Sequence, residues 1–165
     1  MPNPPHAGQV NPALLERLGR IAYHWAYVER LEADFLAFLL QANPAFLHVV
    51  SQNVSGSTIT GWLRTLSLVR FTDAQTHDGL RILFGRIDDA RAARNALVHG
   101  LWRPGSEPRT ATVTTIKVDR AEIVKWELVT LDDLDSQIGE IGEIYAELIA
   151  LGSQLGFHQA PQRQP

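Results

Sequence analysis

Between two Asn-Pro pairs, Asn11-Pro12 and Asn43-Pro44, apolar residues recur at helical spacing without a break. Asparagine caps a helix and proline is tolerated in its first turn, whereas the residue before a proline is pushed out of the helical region. The stretch "ALLERLGRIAYHWAYVERLEADFLAFLLQA" is therefore predicted as one long helix. At about 100° per residue, Leu14, Leu18, Ile21, Trp25, Leu36 and Leu39 share a face. A helix with so long an apolar stripe has to bury it against other elements, and the chain supplies further helices for this purpose. Glu32 falls near the middle of the same face and Glu29 on its flank. A carboxylate in an apolar stripe requires a partner.

The remaining elements follow from local signals. "PAFLHVV" reads as a short helix, "SQNVSGS" as a turn, and "TITGWLRTLSLVRF" as a third helix capped by Ser57 or Thr58. Thr72-Asp73 opens a fourth helix that is expected to run to about Trp102, with "RPGSEPR" as the loop after it. The period then changes. "TATVTTIKVD" and "EIVKWELVT" are rich in Thr, Val and Ile and read as a β-hairpin over about residues 110–130. Thr130 followed by Asp133 resembles a capping box. It begins a last helix whose face is marked by Leu131, Leu134, Ile138, Ile141, Tyr145, Leu148, Leu151 and Leu155, with Gly139 and Gly142 placed to permit close helix contact. The fold class is mainly α: a bundle of four to five helices with a β-hairpin inserted before the last one. Residues 1–10 read as a disordered arm and 158–165 as a disordered tail, which leaves one domain over 11–157.

Composition narrows the function. The chain has 165 residues, 45% hydrophobic and 20% charged, which suits a globular domain with a real core. A net charge of -3 argues against a strongly basic nucleic-acid binder but leaves room for a local basic patch. With no cysteine there is no disulfide, thiolate metal site or thiol nucleophile. No apolar run approaches the roughly 20 residues of a membrane span, and the Pro-rich start lacks a signal-peptide layout. A soluble cytoplasmic protein is expected.

The segment "RAARNALVHGLW", Arg91 to Trp102, departs from these rules. On the fourth helix Leu80, Phe84, Ile87, Val98 and Leu101 are expected to cluster, and Arg94 lands inside that cluster with Arg91 close by. Asn95 and His99 are four apart and share the flank beside the arginines. A guanidinium stays charged, so a buried one needs a carboxylate or an anionic ligand. Gly100 is placed as a left-handed helix terminator, which puts His99 on the last turn, where free carbonyls favour an imidazolium. Arginine grips phosphate oxygens bidentately, imidazole moves protons near neutral pH, and an amide can orient either. The same residues also admit a plainer account: Arg94 in an ion pair with Glu29 or Glu32, His99 bonding a carbonyl, and Asn95 as polar filler.

"RNALVHG" resembles the R-x4-6-H motif of the HEPN superfamily (higher eukaryotes and prokaryotes nucleotide-binding domain), in which the residue after the arginine is usually polar, as Asn95 is here. The layout over roughly residues 12–156 is similar too. The resemblance implies a metal-independent RNA endonuclease of the toxin or phage-defence kind, acting as a homodimer in which two motifs meet. It further implies that Arg94 stabilises the phosphorane-like transition state, His99 transfers protons and Asn95 positions one of them. Glu29, Glu32, Arg91 and Trp102 are supporting residues, and RNA and an antitoxin or other regulatory protein are the implied partners. Leu101 stands where one toxin branch carries a tyrosine that its antitoxin modifies, and the β-hairpin is an addition to the minimal bundle. Some members of the superfamily have lost catalysis and serve as binding or dimerisation modules. Two other readings therefore stand beside the enzyme: such a module, and a structural helical protein with Arg94 in a core ion pair.

Other candidate chemistry is thin. His6, His24, His48, His77 and His158 show no metal-ligand spacing, and Asp88-Asp89 and Asp132-Asp133 read as a solvated face and a helix start. "GSTITGW" lacks the lysine and the preceding strand of a phosphate loop, and Ser55 and Ser57 lack a nucleophile-elbow context. No cofactor and no metal is expected. Trp25, Trp62, Trp102 and Trp126 read as core or interface anchors, with stacking on RNA as the alternative at Trp102.

Overall fold

A computed structural model describes residues 10–107, 109–117 and 122–156. Positions 1–9 of the expected arm and the whole expected tail lie outside the described residues. The elements run α1 (Pro12–Leu40), α2 (Pro44–Ser51), α3 (Gly56–Arg70), α4 (Ala74–His99), β1 (Leu101–Pro104), β2 (Ala111–Lys117), β3 (Glu122–Val129) and α5 (Leu131–Gln154). The protein is thus mainly helical, with a small antiparallel sheet before the last helix, as the periodicities predict.

Helix starts follow the side chains that satisfy free backbone donors. Asn11 Oδ1 accepts from Ala13 N at 2.9 Å, and Asn43 Oδ1 accepts from Ala45 N at 2.8 Å. For α3 the cap is Ser55, not Ser57 or Thr58: its Oγ accepts from Thr58 N at 3.2 Å, and the helix begins at Gly56. Asp73 accepts from Thr76 N at 2.7 Å ahead of α4. At α5 the capping box is complete. Thr130 N donates to Asp133 Oδ2 at 2.8 Å while Asp133 N donates to Thr130 Oγ1 at 3.2 Å. The first helix stops before Asn43-Pro44. Gln41 takes a left-handed φ of 53°, Ala42 N donates to Ala37 O at 2.9 Å and Gln41 N to Phe38 O at 3.1 Å. That pair of bonds is the Schellman ending.

The chain falls into two compact units, one of Met1–His24 with Ala90–Glu140, the other of Trp25–Asp89 with Ile141–Pro165. The division passes through α1, α4 and α5. The first unit holds the sheet, in the order β1-β2-β3, and buries Leu14, Ile21, Val113, Val129, Leu134 and Arg91. The pairing of β2 with β3 steps from Thr114↔Trp126 to Thr115↔Val124, so Lys125 is an extra residue on an edge strand. A bulge there breaks the row of groups that another strand would pair with. The second unit is built on Trp25, Phe35, Leu36, Leu63, Phe84 and Ile141, all at or near zero exposure. Phe35 and Phe84 stack with ring centroids 6.3 Å apart.

Two sequence expectations are corrected here. The fourth helix ends at His99, and Leu101 and Trp102 belong to β1, which makes the expected hairpin a three-stranded sheet. Leu101 is accordingly 53% exposed and not part of a helical apolar face. Gly139 and Gly142 are both exposed, and a Cβ at either would meet nothing within 4 Å, so neither serves a close helix contact.

Candidate functional site

Every residue of the "RAARNALVHGLW" segment lies in the first unit, on the last turns of α4 and the start of β1. Arg91 is buried, 8% exposed, and engaged. Arg94 is half-buried. Its Nη1 donates to Asn95 Oδ1 at 2.9 Å, and its Nε is enclosed with no hydrogen-bond partner among the described residues. An amide oxygen on a guanidinium orients the group without cancelling its charge. Arg94 therefore remains a cation with a fixed direction and an unused donor. Asn95 and His99 are exposed. His99 is the last residue of α4, and a five-residue step turns an α-helix through about 140°, so Arg94 and His99 leave the helix in different directions.

What holds His99 there is the way the helix ends. Gly100 does not adopt the left-handed conformation expected of it. It is required for space: a Cβ would run into the Val113 side chain and come within 2.5 Å of Ala96 O. Strand β2 thus presses directly on the end of α4. Trp102 completes the junction, since its Nε1 donates to Leu97 O at 2.7 Å. That carbonyl is one of the last four of the helix, which have no partner within it. Trp102 is consequently a helix-end cap, and its indole N–H is already used; this role depends on β1, which no spacing in the sequence signals.

The carboxylates proposed as partners lie in the second unit. Glu29 is exposed and accepts from Trp25 Nε1 at 2.8 Å. Glu32 is buried, 1% exposed, and accepts from Thr60 Oγ1 at 2.6 Å. Thr60 is the partner that sequence reasoning missed. Its signal was present, for Thr60 lies on the buried face of α3 with Ile59, Leu63 and Ser67. Arg94 and these two carboxylates belong to different units, and the side-chain acceptor that Arg94 uses is Asn95.

The charge around the motif has one sign. From Ala90 to Ser106 the chain carries Arg91, Arg94 and Arg103 and no carboxylate, within a protein of net charge -3. Among the described residues no group of three or more metal-binding side chains converges, and no helix is long and apolar enough to cross a membrane. Comparison with protein-family models, curated proteins and solved structures returns no match to this chain.

Proposed function

We propose that the end of α4 is the half-site of a HEPN-type RNA endonuclease that acts as a homodimer. The observation that carries this reading is Arg94, a cation turned by Asn95 rather than neutralised, in a carboxylate-free segment that ends at the exposed His99. In the reaction a 2′-hydroxyl attacks the adjacent phosphorus and the 5′-oxygen leaves. The hydroxyl proton passes to one imidazole, and the leaving oxygen takes a proton from another. Arg94 donates to the non-bridging oxygens as negative charge gathers there. The products are a 2′,3′-cyclic phosphate and a 5′-hydroxyl. Each chain brings one His99, so the two proton transfers call for a second copy.

The test is cleavage of mixed cellular RNA in EDTA, with a 2′-O-methyl strand as control. Cleavage of the RNA alone, with a bell-shaped dependence of rate on pH, is the expected result. Cutting of the 2′-O-methyl strand contradicts the mechanism. A second reading, a non-catalytic module that binds an anionic partner through Arg94, is favoured by the use of the Trp102 N–H inside the protein. Binding of RNA with no cleavage under any of these conditions selects it.

A further inference from the structure

The bond from Trp102 Nε1 to Leu97 O, 2.7 Å long, spans the residue on which the proposed reaction depends. It closes a loop over Val98, His99, Gly100 and Leu101. Within a helix the Leu97 carbonyl would accept from the backbone N–H four residues on, but Leu101 belongs to β1. The indole therefore supplies the donor that the chain withdraws as it leaves α4. A helix end without such a partner frays, and His99 is the last residue of α4.

The far side of the loop is held by the sheet. Trp102 is paired with Val113 across β1 and β2, and Val113 is the side chain that a Cβ at Gly100 would strike. Val113 is 4% exposed. One buried valine thus stands against Gly100 and opposite Trp102. Gly100 alone separates His99 from the first residue of β1, which leaves the backbone little slack. The His99 side chain is exposed, and among the described residues its ring has no hydrogen-bond or ion-pair partner. The backbone therefore decides where the imidazole stands.

We propose that Trp102 is a positioning residue for His99: its indole N–H, through Leu97 O, fixes the last turn of α4 and with it the imidazole, without touching RNA. The sheet then belongs to the site, as the frame that carries the indole. This role in catalysis rests on the reading of His99 as the proton-transfer group of an RNA endonuclease. Stacking of Trp102 on a base is a different role, and one substitution separates the two. Stacking uses the aromatic face, which phenylalanine also offers. The cap uses the N–H, which phenylalanine lacks. A proton-transfer group has to lie within hydrogen-bond reach of the reacting oxygen, and a small misplacement is costly. Loss of the cap thus falls on the chemical step and not on RNA binding.

The test compares the full-length parent with Trp102→Phe, and with Trp62→Phe as a control at an exposed tryptophan elsewhere. Two readouts are taken: kcat and KM for RNA cleavage, and backbone amide hydrogen exchange followed by NMR. For Trp102→Phe, kcat should fall roughly five- to tenfold, the scale of one ordinary hydrogen bond, with KM within about twofold of the parent's. Exchange of the His99 amide should quicken by a similar factor while the amides of Leu36 and Leu63, buried in the second unit, keep their rates. That contrast tells a loosened helix end from a general loss of stability. Trp62→Phe should change neither readout. A Trp102→Phe enzyme with kcat unchanged and KM raised assigns the ring to base stacking and overturns the proposal. An unaltered His99 amide, or equal acceleration at His99 and in the core, overturns it whatever the activity. If the parent cleaves no RNA, the endonuclease reading falls; faster exchange at His99 alone then still supports the indole as the group that fixes the helix end, and unaltered exchange overturns both.

Discussion

Asn95 Oδ1 is the acceptor that gives the Arg94 guanidinium its direction, and the pair lies on the surface, where such contacts add at most about 1 kcal/mol to stability. Asn95→Ala should therefore lower RNA cleavage strongly while moving the melting temperature by no more than about 2–4 °C. A variant as active as the parent removes the positioning role. Thr60 is the opposite kind of residue. Its hydroxyl donates to a carboxyl that is 1% exposed, and leaving a buried acceptor without its hydrogen bond costs about 1–3 kcal/mol. Thr60→Val should cost that much in urea unfolding, and no loss would show that Glu32 is carried by its other interactions. At this scale the sequence showed that Arg94 and Glu32 were polar groups in apolar stripes. It did not show their partners, because a partner such as Thr60 is fixed by how α3 meets α1, not by any spacing within one helix.

Among the elements, the capping box of α5 was legible from Thr130 and Asp133 alone, since its bonds are made within one turn. Hydrogen bonds from the Thr130 hydroxyl and backbone N–H hold the Asp133 carboxyl below its ordinary value of 3.8. A carboxylate whose pKa is lowered on folding contributes stability at pH values above the unfolded value, and that contribution is lost as pH falls through the folded value. The parent should accordingly gain over Asp133→Ala by about 1 kcal/mol at neutral pH, with the difference shrinking below pH 3.8. An Asp133 side-chain titration at or above the ordinary carboxylate midpoint contradicts this. The start of α3 was misplaced because Ser55, Ser57 and Thr58 are all capping residues, and only the backbone at Ser55 (φ -69°, ψ 147°) selects among them. Strand β1 was missed for a different reason. Four residues ending in Pro104 carry no period-two signal, and Leu101 happens to continue the helical apolar period. Pairing with β2 and the tight approach at Gly100 decide the matter.

For the whole molecule, the helical class and the late β-insertion were legible because two different periods are written into the chain. The division into two units was not, because it falls inside α1, α4 and α5, where helical periodicity runs on unbroken. The motif's grouping on one short segment was legible; its fixed end, made by Trp102 and Gly100, was not. The proposal that this segment cleaves RNA with His99 as the proton-transfer group is tested by end-group analysis of RNA treated with the parent and with His99→Ala. His99 is exposed at a helix end, so its removal should leave folding intact. 2′,3′-Cyclic phosphate and 5′-hydroxyl ends are expected from the parent and none from the folded variant. Equal yields from both proteins, or 5′-phosphate ends from the parent, would contradict it.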